Sequence, residues 1–249
     1  MAKKGALPPV CISVPCRDRA FVLPDFLACL ERLEYPAPLR YYFLVHDSAD
    51  ATEEILRAWC SDRKEAVLEV QQWDAPPDNR ECRAMRRTLF PTLARLRNHL
   101  LAYVRGQGPA WSLFMLDSDV LVHPDTLLRL AQTGKDAISA VVMNALPGSR
   151  AGLAVPNSSR TGNLRATDHY VIPDPVLPDQ VYQVRWTGAA FLVSGRALAR
   201  PGVAFADSDS GEDLPFCQSL ERAGIKLYQD GGALTEHILQ EVDLEAWHA

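Results

Sequence analysis

Trp111-Ser112-Leu113-Phe114-Met115-Leu116-Asp117-Ser118-Asp119 is the stretch on which the reading of this chain turns. A run that is apolar except for Ser112 gives way abruptly to two carboxylates two positions apart. An unbroken apolar run of this length, closed by polar residues, fits a strand buried on both faces, as in a parallel sheet. On a strand end or tight turn, residues i and i+2 can point the same way, so Asp117 and Asp119 can both face the carboxyl edge of that sheet. Hard carboxylate oxygens suit Mg2+ or Mn2+. Such an ion can bridge a diphosphate and neutralise charge as the phosphate leaves. A plain acidic turn after a core strand would have the same local sequence, so the neighbouring segments decide between the two.

Working outward, strands and helices alternate. Val10–Val14 reads as a buried strand ending at Pro15, Tyr41–Val45 as a second and Ala66–Val70 as a third. Between them, Pro24–Leu33 carries Phe26, Leu27, Leu30 and Leu33 at helical spacing, and Ala51–Trp59 reads as a second helix with Thr52 or Asp50 available as its cap. Pro91–Arg105 predicts a helix opened by Pro91, with Leu93, Leu96, Leu100 and Val104 on one face and Gly106 beyond its end. Downstream come a short helix at Asp125–Gln132 and a strand at Ala137–Met143. Strands at Val181–Trp186 and Ala190–Val193, a helix at Asp213–Ala223 stopped by Gly224, and a last strand at Ile225–Tyr228 ahead of a Gly231-Gly232 turn complete the series. The alternation predicts an α/β fold with a mostly parallel central sheet and helices on both faces. Ligands in such sheets bind outside the carboxyl ends of the strands. Polar stretches stand at three of those ends: Cys16-Arg17-Asp18-Arg19, His46-Asp47-Ser48 and Asp117-Ser118-Asp119. From Ala145 to Gln180 the periodicity stops and prolines and glycines punctuate the chain. A binding loop or lid and a surface insertion both fit that segment.

The 249 residues suit one large domain or two small ones, and a chain of this length can bury a core without a disulfide or metal staple. The formal net charge of -5 argues against a nucleic-acid partner. The densest basic stretch, Arg80 to Arg97, also carries Leu89, Leu93 and Leu96, as a solvated helix face does. None of Cys11, Cys16, Cys29, Cys60, Cys82 and Cys217 forms a Cys-x-x-Cys pair, and most sit in apolar surroundings, as reduced core cysteines do. Pro8 and Pro9 stand where the apolar part of a signal peptide belongs, and no run of roughly 18 apolar residues offers a membrane span. These features predict a cytoplasmic protein, and a catalytic piece of a longer anchored enzyme would read the same way.

The order of pieces resembles a GT-A-fold glycosyltransferase, the group that includes the inverting family 2 and the fungal mannan polymerase subunits. Five stretches carry the likeness across most of the chain. Ile12-Ser13-Val14-Pro15 resembles the opening strand. Leu44-Val45-His46-Asp47-Ser48-Ala49-Asp50-Ala51-Thr52 resembles the Asp-Asp-Gly-Ser-Thr-Asp segment, without its glycine. Leu96-Arg97-Asn98 resembles the Ala-Arg-Asn helix, and Asp117-Ser118-Asp119 the metal motif. Trp186-Thr187-Gly188-Ala189, with Gly211-Glu212-Asp213 through Cys217, resembles the acceptor side.

The resemblance implies a single GT-A-like domain over 1–249. About 10–143 would bind a nucleotide-diphosphate sugar and about 144–249 a hydroxyl-bearing acceptor. Pro15, Arg17, Asp47, Arg97, Asn98, Asp117 and Ser118 would face the donor, and Trp186, Gly188 and Glu212 the acceptor. Asp117, Asp119 and the late His237 would hold Mn2+ or Mg2+. Asp213 would be the general base of an inverting transfer, taking the acceptor's hydroxyl proton. Several of these residues have a second, structural reading. Asp47 also fits a helix cap, Arg97 a solvated helix position, His237 a structural histidine and Asp213 the cap of the following helix. Arg97 suits a diphosphate because its planar fork grips oxygens two at a time. A helix N-terminus favours ionised Asp213 and so weakens it as a base.

Other functions are weaker fits. A nucleotidyltransferase would want a glycine-rich phosphate loop after the first strand, and Pro15-Cys16-Arg17-Asp18-Arg19 has no glycine. A phosphatase with a nucleophilic Asp-x-Asp would carry it after its first strand. A catalytically silent sugar-binding module on the same scaffold stays open.

Overall fold

A computed structural model of the chain describes residues 6–76, 83–145, 154–156, 159–160 and 180–248. The elements run β1 (Val10–Cys16), α1 (Leu23–Glu31), β2 (Leu39–His46), α2 (Thr52–Cys60), β3 (Ala66–Gln71) and α3 (Arg83–Gly106). Next come β4 (Ser112–Leu116), β5 (Val120–Val122), α4 (Thr126–Gln132), β6 (Ala137–Ala145), β7 (Ala154–Pro156) and β8 (Ser159–Arg160). The series closes with β9 (Val181–Trp186), β10 (Ala190–Val193), α5 (Gly195–Leu198), α6 (Asp213–Arg222), β11 (Leu227–His237) and α7 (Glu241–His248).

The apolar runs of β1, β2 and β4 are buried because they lie side by side mid-sheet, in the order β3-β2-β1-β4-β10-β6-β11-β9-β8. Strands β3, β2, β1, β4, β6 and β11 point the same way, and β10 is inserted antiparallel between β4 and β6. The sheet is therefore mostly parallel in strand direction. Alternate residues feed two cores. Ile12, Val14, Phe43, Val45, Phe114 and Leu116 face one that includes Phe26 and Leu30 of α1 and Leu127 and Leu130 of α4. Cys11, Tyr42, Leu44, Leu113 and Met115 face the other, closed by Leu96, Leu100 and Val104 of α3 and Phe216 and Leu220 of α6. This period-two division puts a helical layer on each face.

Three boundaries differ from the sequence expectation, each for a physical reason. β1 continues through Pro15, which pairs with Leu44 but lies past the last β4 pair, Ser13 with Met115. With no β4 ladder there, a missing N–H is tolerated. Helix α3 begins at Arg83, so Pro91 lies inside it rather than at its start. Pro91 is exposed, while Leu89 upstream is buried and extends the apolar face. The last strand does not end before Gly231-Gly232. It runs on to His237, with a register shift between Gln229 and Leu234, and Asp230 Oδ1 accepts from Gly232 N at 2.9 Å. A pair expected to turn the chain is absorbed as a bulge. The short elements β5, α5 and α7 were not anticipated. Apart from β7, β8 and its two ends, Ala145 and Gln180, the segment from Ala145 to Gln180 lies outside the described residues. No helix among the described residues is long and apolar enough to cross a membrane.

Candidate active site

The carboxyl end of β4 is where the polar residues converge. Asp117 N donates to Ala189 O at 2.8 Å, which fixes the start of the turn, and Val120 N donates back to Asp117 O at 3.0 Å. Ser118 points inward and is buried, within hydrogen-bonding reach of Cys16. β5 then pairs with the end of β11, placing Val120 opposite His237, and Ile238 N donates to Asp119 O at 2.8 Å. That pairing delivers His237 to the acidic motif from more than a hundred residues away. Its Nε2 lies 3.3 Å from Asp119 Oδ1. From the loop after β1, Arg19 Nε donates to Asp119 Oδ2 at 3.0 Å. Burial pushes the Asp119 carboxyl up, but His237 and Arg19 outweigh it and hold it down at about 2. Burial likewise pushes His237 down, and the charges of Asp119 and Asp117 outweigh it and raise the imidazole above its usual value.

Asp117 turns to a different partner. Arg97, on α3 and only 5% exposed, brings Nη2 to 3.0 Å from Asp117 Oδ1. Its Nε donates to Glu212 Oε1 at 2.9 Å and lies 3.8 Å from Asp213 Oδ1. One guanidinium therefore serves three carboxylates, two of them at the start of α6. Burial most of all, with Glu212 and Asp117 adding to it and Arg97 opposing, pushes the Asp213 carboxyl well above the usual range. Its side chain nevertheless keeps 28% of its surface exposed, so it can meet a ligand. Gly188 makes room for it: a Cβ there would fall 2.1 Å from Asp213 Oδ2. Arg97 Nη1 and Asp213 Oδ1 are buried without a hydrogen-bond partner. Asp213 is the first residue of α6, and Glu212 before it makes no side-chain cap.

The other donor-side residues hold loops together. Asp47, at a left-handed φ of 48°, accepts from Trp73 N at 2.9 Å and Asp74 N at 3.1 Å through Oδ1, and from Ala75 N at 3.3 Å through Oδ2. Burial pushes its carboxyl up, yet these amides and His46 prevail and hold it below the carboxylate norm. The cap before α2 comes instead from Asp50, which accepts from Thr52 N at 3.0 Å. Arg17 Nη1 donates to Pro76 O at 2.8 Å, so it grips the same segment as Asp47. The Asn98 amide donates to Phe205 O and accepts from Phe205 N, both at 2.9 Å, tying the stretch before α6 to α3. Pro15 sits near the end of β1, and Trp186 ends β9, partly buried against the second core. Arg19 was not singled out from the sequence. Its signal was a place in the polar stretch after β1, which it shares with Arg17, and only the tertiary contact separates the two.

Among the described residues no cluster of three or more His, Cys, Asp or Glu side chains is arranged to grip a metal ion. The chemistry of the donors nevertheless suits one. Two ligands ~2.1 Å from an octahedral ion and at right angles lie ~3 Å apart, close to the 3.3 Å between Asp119 Oδ1 and His237 Nε2. Asp117 adds a further hard carboxylate to the same motif, with its Oδ1 ion-paired to Arg97 at 3.0 Å.

Comparison with known proteins identifies the family and the fold. A family model described as glycosyltransferase family 25, N-terminal domain, matches residues 7–218. Procollagen galactosyltransferase 2 of Homo sapiens is 30% identical over 141 residues, covering 54% of this chain and 22% of that protein. The probable inactive glycosyltransferase 25 family member 3 of Bos taurus is 24% identical over 216 residues, covering 84% of this chain and 36% of that one. The chain thus spans well under half the length of these curated relatives. Among solved structures, S. aureus TarS 1-349 in complex with UDP-GlcNAc superposes with a TM-score of 0.58 at 15% identity, over 92% of this chain and 58% of that one. At that identity the likeness is one of fold, and the fold is the GT-A-like α/β sandwich expected from the sequence.

Proposed function

The chain belongs to the glycosyltransferase family 25 N-terminal domain family, and on that premise we propose that it moves a sugar from a nucleotide-diphosphate donor to a hydroxyl acceptor, with inversion and with Mn2+ or Mg2+. The observation that carries this reading is the convergence of two acidic centres at one sheet edge. Asp119 stands with His237, and Asp117 is linked through Arg97 to Asp213. The donor half is about 10–143 and the acceptor half about 144–249, in one domain. A TarS structure holding UDP-GlcNAc and a relative named for galactosyl transfer support a sugar nucleotide, a UDP-sugar first among the candidates. Free cysteines at positions 11, 16, 29, 60 and 217 support a reducing, cytoplasmic setting.

In this reading Asp117, Asp119 and His237 hold the cation, which when bound supplies positive charge to the departing diphosphate. Asp117 faces the donor, and the buried Ser118 holds the turn between the two acids through Cys16. Pro15, Arg17, Asp47 and Asn98 keep the surrounding strand ends and loops in place. Trp186, Gly188 and Glu212 border the acceptor, and Asp213 accepts its hydroxyl proton. The hydroxyl oxygen bonds to the anomeric carbon from the face opposite the leaving group. The bond from that carbon to the phosphate oxygen breaks, and its electron pair leaves with the nucleoside diphosphate. Raised basicity suits Asp213 to this task, since a base works best with a pKa near the operating pH.

A silent sugar-binding scaffold is the second reading, favoured by the relative named inactive that aligns over most of the chain. A thermal-shift screen of UDP-, GDP-, CMP- and dTDP-sugars with and without Mn2+ tests donor binding. A donor at 100 times its Kd stabilises by about 2.7 kcal/mol. One nucleotide family should raise the Tm in a metal-dependent way, and a flat response to all of them would sink both readings. Turnover of the donor that binds then separates enzyme from scaffold.

A further inference from the structure

We propose that Arg97 is a positioning residue whose single guanidinium ties the donor-side Asp117 to the acceptor-side Glu212 and Asp213, holding the two halves of the site at one spacing. The inference rests on the transferase reading above and assigns Arg97 a task other than gripping the diphosphate. Four observations support it. First, Arg97 is held rigidly: Leu96 and Leu100 beside it on α3 are fully buried, and its Cζ lies 5.8 Å from the Phe205 ring. Second, that ring stacks on Phe216 of α6 with centroids 4.0 Å apart, and Asn98 clamps the Phe205 backbone. Arg97, the stretch before α6 and the start of α6 therefore move as one unit. Third, the planar fork spreads its donors, Nε to Glu212 and Nη2 to Asp117, so one side chain spans two elements far apart in sequence. Fourth, the fork is already engaged: Nε and Nη2 meet carboxylates, which leaves the buried Nη1 alone and no pair of donors to grip a diphosphate.

The spacing matters because the acceptor hydroxyl must be aligned behind the anomeric carbon, and an error of about 1 Å can cost about 100-fold in rate. Without Arg97, three crowded carboxylates would lose their shared counter-charge and move apart. Lysine keeps the charge but offers no fork, so it cannot hold Asp117 and Glu212 at once.

The test compares Arg97→Lys, Arg97→Gln and the double variant Arg97→Gln/Glu212→Gln with the unaltered chain. The readouts are kcat and donor KM with the best donor and Mn2+, and Tm. The double variant removes one charge of each sign, so the cluster keeps its net charge and the variant is expected to fold even if Arg97→Gln alone does not. The expected result is a fall in kcat of about 100-fold or more in every folded variant, with donor KM within about threefold. Arg97→Lys should not rescue kcat even where it restores Tm. A large rise in donor KM with kcat kept would assign Arg97 to the diphosphate and overturn the proposal. So would full kcat in a folded Arg97→Lys. If the unaltered chain turns over no donor, the transferase reading fails and the positioning role falls with it. If the unaltered chain does turn over a donor, the kcat and KM of the variants alone decide the role of Arg97.

Discussion

Three carboxylates share one guanidinium at this site, and a fourth, Asp119, lies between Arg19 and His237. Burying so many charges costs desolvation that pairing repays only when the geometry is good. The cluster is therefore poorly explained as a stabilising device and better explained by chemistry at the sheet edge. Asp213 shows this most clearly. Its helix position favours the ionised form, as the sequence alone suggests, yet burial and two neighbouring acids win and raise its basicity. The N-cap of α6 is Glu212, which makes no side-chain capping hydrogen bond, so the helix start rests on no such bond. Asp213→Asn should lower kcat by about 10²- to 10⁴-fold, the contribution of a positioned base, with donor affinity and Tm nearly unchanged. NMR of the product should show the anomeric configuration reversed relative to the donor. A variant that loses Tm but keeps kcat would make Asp213 structural, and a product with the donor's configuration would remove the inverting mechanism.

The elements around the site are laced together by aspartates at their strand ends. Asp18, at φ 49°, accepts from Ala49 N at 2.8 Å, and Asp47 accepts from the amides of residues 73–75, so the loop after each of the first two strands is clamped to the next. Asp47→Asn loses one acceptor oxygen and the charge, and should cost about 1–3 kcal/mol at neutral pH. The sign with pH follows from its depressed folded value. The stabilisation is fully present above the unfolded pKa of about 3.9 and is lost as pH falls through the lower folded value. Denaturant melts should therefore show a gap between the two proteins at pH 7 that begins to close below about pH 4 and is gone once the pH lies below the folded value. A gap that does not shrink at all as the pH falls below about 4 would mean that packing, and not the carboxylate's charge, holds the loop. At this scale the sequence was largely readable, because strands buried on both faces leave unbroken apolar runs and amphipathic helices leave a 3.6-residue stripe. Pro15, Pro91 and Gly231-Gly232 misled for a common reason. Each is a local breaker whose effect is set by context: a ladder that has ended, an exposed helix face, or a strand able to take a bulge.

Across the whole molecule, the site exists because distant segments meet at one sheet edge: Arg19 after β1, Arg97 on α3, Asp117 and Asp119 after β4, Glu212 and Asp213 at α6, and His237 at the end of β11. Where the acids would lie could be read from strand ends and helix starts. Which side chain each one would meet could not, since nothing in a local pattern says that Arg97 faces acids or that Arg19 rather than Arg17 reaches Asp119. The family match accounts for the scaffold, and the relatives include proteins named as transferases and as inactive members, so turnover is the property that decides. The most direct measurement is release of nucleoside diphosphate from the best-binding sugar nucleotide, made with Mn2+ and again in excess chelator, for the unaltered chain and Asp119→Ala. We expect metal-dependent turnover that chelator abolishes, and a loss on the order of 10³-fold or more in a folded Asp119→Ala. Turnover undiminished in chelator would contradict the metal site, and no turnover of any donor by the folded, metal-loaded chain would contradict the enzyme itself.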